Sequence, residues 1–315
     1  MKYLKKIFVV LLLVSCACSA APDELNASAG ATGQKVTARH DKDLIIVDVD
    51  GKLFTCYKFN TEQKYPYFWP VNGPVSGKSV TTETSEPWPH HHSLFFGCDR
   101  VNGGNYWQEG NERGQIVSQG PKIVEASGGR VVISDECLWR RPGAEPIIRD
   151  KRVIIITAPN KDIRLIDFEI FLEPLTQITI QKSNHALFSA RVMPELSVSS
   201  GGTLVNAEGR LAEKGTFGIP SPWCDYSGTR GGVTEGIAIL QNPNNRWFPC
   251  KWFTRDYGFF SPTPMNWLEN DQLQLAVGQT LTLRYRVVVH AGDAKAAGIA
   301  EIFSRYELEA KKPHK

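Results

Sequence analysis

The sequence predicts an all-β protein, a large antiparallel β-sandwich with a C-terminal helix. From Lys35 onward, alternating apolar and polar residues and runs of β-branched residues dominate the chain. Turn dipeptides such as Asn72-Gly73 and Gly201-Gly202 separate these runs. Several predicted strands span ten residues or more, and no Pro/Gly-rich linker divides the middle of the chain. Two large sheets packed face to face are therefore favoured over two small sandwiches.

The predicted strands follow one another along the body of the chain. They cover residues 43–50, 52–59, 121–127, 130–139, 150–158, 162–173, 177–182, 203–213, 235–241 and 279–292. One helix is predicted, within residues 293–312, and Asp293 is suited to cap its N-terminus. Its apolar stripe consists of Ile299, Ile302, Phe303 and Tyr306.

The first residues resemble a bacterial secretory signal. Three lysines precede the apolar core Ile7–Val14, whose eight residues are too few to span a bilayer. The segment Leu13-Val14-Ser15-Cys16 resembles the lipobox of bacterial lipoproteins, in which the cysteine is lipidated and becomes the first residue. Ordinary cleavage after Ser19-Ala20 is the alternative.

We therefore expect a cell-envelope protein that is attached to a membrane through lipid alone. The lipid anchor would face the periplasm or lie at the outer-membrane surface. The expected organisation is a signal peptide at residues 1–16, a flexible tether at 17–34 and a single β-sandwich domain at 35–315.

Charge and cysteine content exclude several classes of protein. The formal net charge is +3, and it falls to zero once the three lysines of the signal are removed. A chain without a basic excess is a poor match for nucleic acid, so no nucleic-acid partner is expected. Five cysteines lie in the body of the chain without a C-x-x-C spacing. They therefore predict neither a disulfide framework nor a structural zinc site, although one or two bridges stay open.

Five segments identify a family resemblance. They are YPYFWPVNGPVSGKSVT at 65–81, PWPHHHSLFFGCDRVNGGNYWQ at 87–108, and the stretches 202–228, 242–264 and 281–293. In this order they resemble the DUF6807 family, which often carries the label "PmoA family". That label implies a subunit of methane monooxygenase, an integral membrane protein, and we set it aside because no apolar stretch of the sequence is long enough to span a membrane.

The order of strands in this family resembles the galactose-mutarotase-like supersandwich. That fold occurs in carbohydrate epimerases and lyases and in accessory domains of glycosidases, so the resemblance implies a carbohydrate or glycoside ligand. A fold does not determine a function by itself. The function has to be argued from the site.

Three consecutive histidines form the most unusual feature of the sequence. The family pattern usually reads His-Pro-His-His-Arg-Ser-Leu, whereas this chain reads Trp88-Pro89-His90-His91-His92-Ser93-Leu94. A later histidine of the family is replaced by Cys98. The resemblance therefore carries over only His90 and His91.

A metal site is one interpretation of the triplet, and we do not favour it. A catalytic zinc needs three converging protein ligands. In an extended segment His90 and His92 would face one way and His91 the other, so at most two could share a metal. The third ligand would have to come from His185, Asp99 or Glu109. We expect no metal and no cofactor.

Proton transfer on a sugar is the favoured interpretation. Mutarotase-like enzymes use a histidine and a carboxylate, and the free pKa of histidine suits this task. His90 or His91 with His185 could supply the acid and the base. The candidate carboxylates are Asp99, Glu109 and Asp256. Hydrogen bonding of the histidines to loops at a cleft edge, without chemistry, is the alternative.

Aromatic residues in the family segments favour contact with sugar. Six of the eight tryptophans, at positions 69, 88, 107, 223, 247 and 252, are predicted to lie in loops there, and indole rings stack on the C–H faces of sugars. Packing of these loops onto the sandwich is the alternative. The residues predicted to bind substrate are Asn72, Trp88, Asp99, Asn102, Trp107, Glu109, Trp252 and Asp256.

The segment WFTRDYGFF at 252–260 offers a cation and a hydroxyl donor. Arg255 could bind an anionic or carbonyl-bearing substrate, or could pair with Asp256 or a nearby glutamate and rigidify the loop. Tyr257 could donate a hydrogen bond. The predicted catalytic set is His90, His91, His185, Arg255 and Tyr257, and we expect it to converge with Trp107 at one cleft on the concave face of the sandwich.

Three functions stay open at this point. The favoured one is a carbohydrate-active envelope lipoprotein, with epimerisation, β-elimination or cleavage of an oxidised glycoside as its chemistry. A sugar-binding lipoprotein without catalysis is the second, and a structural envelope protein is the third.

Overall fold

Two antiparallel sheets build the fold that the computed structural model describes for residues 33–108 and 110–312. The predicted signal peptide with Cys16, nearly all of the predicted tether and Glu109 lie outside the described residues. From residue 33 onward the chain forms one compact unit. The predicted fold class is confirmed, because the described residues form a large antiparallel β-sandwich with a C-terminal helix.

The first sheet has eleven strands. The strands are β1 Val36–Asp41, β2 Leu44–Val49, β3 Lys52–Lys58, β4 Tyr67–Val71, β5 Leu94–Val101, β6 Gly104–Tyr106, β12 Ile178–Gln181, β13 Leu187–Arg191, β17 Trp252–Arg255, β18 Phe259–Pro262 and β19 Gln272–Leu275. Eight of them follow the order β1-β2-β3-β4-β5-β13-β18-β17; β6 and β12 pair with β5, and β19 pairs with β12.

The second sheet has nine strands. They are β7 Gln115–Ser118, β8 Lys122–Ala126, β9 Arg130–Arg140, β10 Ile148–Asn160, β11 Ile163–Pro174, β14 Thr203–Asn206, β15 Trp223–Arg230, β16 Val233–Gln241 and β20 Leu281–Ala291. Their order in the sheet is β14-β15-β16-β20-β11-β10-β9-β7, and β8 pairs with β9. Two helices complete the described chain, α1 Ala212–Thr216 and α2 Ile299–Ala310. Neither is long and apolar enough to cross a membrane.

The main core lies between the two sheets. Side chains alternate along each strand, so every second residue of β5, β13 and β11 points into the sandwich. Phe96 and Phe188 of the first sheet contact Phe168 of the second, with ring centroids 6.2 and 4.9 Å apart. A smaller apolar cluster lies on the other face of the second sheet, where Val288 packs with Ile299 of α2.

A polar network is embedded in this core. Arg152 and Asp150 are both buried, and the arginine Nε donates to Asp150 Oδ1 at 2.7 Å. Trp139 Nε1 donates to the other carboxylate oxygen at 2.6 Å, and Tyr57 donates to Asp135 at 2.7 Å. Each charge in the pair offsets the desolvation of its partner.

The structure corrects two details of the predicted elements. The strand predicted over 203–213 ends at Asn206, and α1 follows after a turn. The C-terminal helix begins at Ile299 after Gly298, which has φ 67°. Asp293 therefore does not cap it; its carboxylate accepts the backbone N–H of Ala296 in the turn before.

The family segments hold more strand than the sequence predicted. Trp69 lies on β4, Trp223 on β15 and Trp252 on β17, so the prediction that these tryptophans lie in loops is wrong. Strands such as β13 and β18 are short and buried along their whole length. A strand buried on both faces shows no alternation, and its signal is therefore weak.

The five cysteines of the sandwich are free and buried. They pack as small apolar side chains.

Candidate functional site

The site is built on the outer face of the first sheet, the face that points away from the second sheet. Phe96 and Phe188 point inward. Phe95 of β5 and Arg191 of β13 are an odd number of positions away from them on the same strands, so their side chains point outward. Phe259 of β18 lies on the same outer face, because Phe260 next to it packs against Tyr226 of the second sheet. Phe95 and Phe259 make much of this outer face apolar, so it has to be covered.

Segments far apart in the sequence cover it. The connection before β5 carries Trp88, His90 and His91, and the segment after β6 carries Trp107. His185 precedes β13, and Tyr257 lies in the turn between β17 and β18. Together with Arg191 these residues are called the histidine cluster below. Asn105 fixes the turn that carries the indole, because its side-chain oxygen accepts the backbone N–H of Trp107 at 3.0 Å.

His91 lies at the centre of the cluster and is 1% exposed. Its ring is nearly parallel to Trp107 at a centroid separation of 5.6 Å and lies 4.4 Å from Phe259. His185 is 6.0 Å away and Tyr257 6.4 Å away. The structure therefore brings His91 and His185 to one place, together with the predicted tyrosine and tryptophan.

Several buried polar atoms of the cluster have no hydrogen-bond partner among the described residues. Both ring nitrogens of His91 are in this state, as are Nδ1 of His185 and Nε1 of Trp107. Nε and Nη1 of Arg191 are unpartnered as well. A buried polar group without a partner costs about 1–3 kcal/mol, and most such groups in proteins are satisfied. Their concentration in one cluster is typical of a site that offers hydrogen bonds to a ligand.

Both central histidines are neutral. Burial lowers the pKa of His91 to about 2, and the neighbouring His90 lowers it further in the same direction. Burial also lowers the pKa of His185 to about 3. A neutral imidazole has one N–H donor and one acceptor nitrogen. At neutral pH each of these rings can therefore donate one hydrogen bond and accept another.

The sequence comparisons decide the family. The model of DUF6807, described as a family of unknown function, matches residues 45–304. The chain belongs to the DUF6807 family. None of the curated proteins compared with this DUF6807 chain matches it.

The solved structures that resemble this DUF6807 protein include two from Lactobacillus acidophilus. One is a galactose 1-epimerase from Lactobacillus acidophilus NCFM, with 8% identity and a TM-score of 0.39, covering 82% of this chain and 98% of the other. The second is a galactose mutarotase related enzyme from Lactobacillus acidophilus, with 6% identity and a TM-score of 0.29, covering 81% of this chain and 97% of the other.

The histidine triplet is arranged differently from the prediction. His90 and His91 are neighbours in the cluster, with ring centroids 4.6 Å apart, whereas His92 stacks on Tyr67 at 4.9 Å and its Nδ1 lies 2.8 Å from the Glu83 carbonyl. The expectation that His90 and His92 share a face is wrong. The segment is a turn, in which His91 N–H donates to the Trp88 carbonyl at 3.1 Å, and strand alternation does not apply to it. Residues 33–108 and 110–312 contain no group of three or more side chains poised to hold a metal.

Arg255 lies at the rim and is tied to α1. Its Nη1 donates to Glu213 Oε1 at 3.0 Å, and its guanidinium lies 4.1 Å over the ring of Phe253. Glu213 also accepts the backbone N–H of Asp256 at 3.2 Å, while the Asp256 carboxylate accepts that of Glu213 at 2.7 Å. Of the two roles considered for Arg255, these contacts favour the loop-rigidifying one.

Four residues predicted to bind substrate make their hydrogen bonds elsewhere. Asn72, Asn102 and Trp252 donate from their side chains to backbone carbonyls at 2.9, 2.9 and 2.8 Å. Asp99 accepts the backbone N–H of Arg100 at 2.6 Å. These contacts stabilise loops and strand ends. The remaining predicted residue, Glu109, lies outside the described part of the chain.

Sequence reasoning missed Arg191 and the outer-face rings of Phe253 and Phe259. In the sequence Arg191 only ends the apolar stretch ALFSAR. A cation at the end of such a stretch usually reaches solvent, so its burial becomes visible only in the structure.

The stability of the protein should depend on pH through His91. The pKa of His91 is lowered in the fold, so the unfolded chain binds a proton more tightly between about pH 6.5 and pH 2. Acidification therefore favours unfolding, and stability is lost as the pH falls below about 6.5. We expect the drop in the free energy of unfolding from pH 7 to pH 5 to be about 2 kcal/mol smaller in His91→Gln than in the parent protein.

Urea denaturation at both pH values measures this difference. The exposed His40 provides the matched control, because His40→Gln should leave the drop unchanged. Equal drops for His91→Gln and the parent would show that the ring is not held neutral.

Proposed function

We propose that this protein acts on carbohydrate and that the histidine cluster is where the sugar binds. The observation that carries the proposal is the set of unpartnered imidazole, indole and guanidinium nitrogens inside a shell of aromatic rings. Sugars present C–H faces that stack on rings and hydroxyls that both donate and accept hydrogen bonds. The cluster offers both kinds of contact within a few ångströms.

Each part of the cluster supports one part of sugar binding. Trp88 is 42% exposed and its ring centroid lies 6.1 Å from those of His90 and His91, so it forms an accessible stacking surface at the rim. His91 and His185 lie deeper and can bind hydroxyl groups through their free ring nitrogens. Tyr257 is half-buried at the boundary between these two layers.

Proton transfer on the bound sugar is the proposed chemistry. Epimerisation, β-elimination and cleavage of an oxidised glycoside can each begin with removal of a proton by an unprotonated base. The lowered pKa values keep His91 and His185 unprotonated at neutral pH, and they also make both histidines weak bases. The substrate would therefore need an acidic C–H bond, as beside a carbonyl group.

Sugar binding without catalysis is the second candidate, and the same pKa values favour it. In the resting cluster neither His91 nor His185 carries a proton that a general acid could give up at neutral pH. Hydrogen bonding to hydroxyl groups needs no such proton.

Truncation of the rim tryptophan should weaken sugar binding. We expect Trp88→Ala to reduce affinity about 3–10-fold, the loss that corresponds to one ring stacking contact. Calorimetric titration with a panel of mono- and disaccharides measures it. The half-buried Trp247, which lies beneath Arg246, supplies the control, and Trp247→Ala should bind as the parent does.

Turnover then separates the two candidates. If the protein is an enzyme, His91→Gln should lower the rate about 10²–10⁴-fold while the protein stays folded. If sugars of the panel bind but none is turned over, the non-catalytic binding function is the candidate that remains. Failure of every sugar to bind the parent protein would overturn the proposed function.

We place this activity in the bacterial cell envelope, with Cys16 as the lipidated first residue. The support is the Leu-Val-Ser-Cys sequence after a short apolar core. Cells grown with a fatty-acid probe should label the parent protein and lose the label in Cys16→Ser. Cys18→Ser is the matched control and should keep the label. Labelling of Cys16→Ser at the parent level would contradict this assignment.

A further inference from the structure

Arg191 is a buried cation whose N–H groups are largely unused. It is 3% exposed. Its Nη2 donates to Ser85 Oγ at 3.3 Å, and its guanidinium lies 4.3 Å over the ring of Tyr257. Nε and Nη1 have no hydrogen-bond partner among the described residues. No carboxylate of the described chain pairs with it.

Other arginines of this protein show how a covered guanidinium is normally satisfied. Arg152 pairs with Asp150, and Arg286 pairs with Asp167 through Nε and Nη2 at 2.6 and 2.8 Å. An arginine side chain does not lose its proton in proteins, so it cannot escape the cost of burial by becoming neutral. Arg164, which is also buried and has no carboxylate partner, donates from Nη1 to the backbone carbonyls of Asn160 and Ile163 at 3.0 Å. Arg191 differs from all three, because it has neither a carboxylate nor a carbonyl partner for Nε and Nη1 among the described residues.

The unpaired cation belongs to the histidine cluster. Tyr257 contacts both the Arg191 guanidinium and the His91 ring. The positive charge of Arg191 contributes to the lowered pKa of His91, and burial lowers the pKa of Arg191 itself. His91 and His185 are neutral, so they neither repel nor balance this charge. A ligand that reaches His91 is therefore within the field of an uncompensated cation.

We propose that Arg191 recognises a carboxylate and that the sugar bound by the histidine cluster is a uronic acid or a glycoside of one. The inference rests on the proposed carbohydrate function and narrows its substrate class. A carboxylate matches the planar guanidinium in charge and in geometry, whereas the hydroxyls of a neutral sugar leave the charge uncompensated. The ring of Tyr257 lies over one face of the guanidinium, whereas a carboxylate binds along its N–H edge.

Matched acidic and neutral sugars test this directly. Calorimetric titrations would compare glucuronate with glucose, galacturonate with galactose and mannuronate with mannose, using the parent protein, Arg191→Gln and Arg246→Gln. Arg246 is the control, since it is exposed and also lies over an aromatic ring, that of Trp247. We expect at least one acidic sugar to bind the parent about 10–100-fold more tightly than its neutral partner.

The two variants show whether the preference for the acidic sugar depends on Arg191. Arg191→Gln should remove the 10–100-fold advantage of the acidic sugar, so that this variant binds the acidic sugar and its neutral partner with similar affinity. Arg246→Gln should keep the advantage. Acetate is a further arm, because acetate binding as tight as that of the acidic sugar would show a small-anion site and overturn the assignment to a sugar.

Thermal unfolding tests whether Arg191 has a purely structural role. Removal of an unpaired buried charge should leave the Tm of Arg191→Gln at or above that of the parent, and a marked fall would show that Arg191 holds the fold together. Equal affinity of the parent for acidic and neutral sugars would overturn the role of Arg191 and leave the carbohydrate function standing. Absence of binding by every sugar would overturn both.

Discussion

Burial of the central strands of the first sheet on both faces is the constraint on which the site depends. β13 and β18 are buried along their whole length, and one face of each already packs into the sandwich. The other face carries Phe259 and Arg191, which water would otherwise reach. Exposed aromatic rings such as that of Phe259 are stabilised when they are covered. The turns that hold the histidines cover this face, since both His91 and His185 pack against Phe259.

The buried charged side chains of the core have hydrogen-bond partners, whereas several buried polar atoms of the site have none among the described residues. Inside the sandwich, Arg152 is compensated by Asp150, which also accepts a hydrogen bond from Trp139. On the outer face, Arg191 and His91 keep ring and guanidinium nitrogens unpartnered among the described residues. Proteins retain such destabilising groups where activity requires them. The contrast within one molecule is why we assign function to the outer face and structure to the core.

The long strands and the family could be predicted from the sequence, but the packing of the site could not. β10 and β11 alternate between buried and less buried side chains over many residues, while β13 shows no alternation because both of its faces are buried. The convergence of His91 and His185 was expected from chemistry. The role of Arg191 depends on the absence of a carboxylate around it, which only the folded structure shows. Local sequence also does not reveal pairing across 40 or more positions, as between Arg255 and Glu213.

A crystal structure of the protein with a bound acidic sugar tests the central claim most directly. Our account predicts density for the sugar in the histidine cluster, with its carboxylate within hydrogen-bond distance of Arg191 and a hydroxyl group on His91 or His185. A separate cavity of about 370 Å³ lies on the far sheet, lined by Trp223, Ser227 and Asp293 among others. Sugar density in that cavity, with the histidine cluster unchanged, would contradict the account.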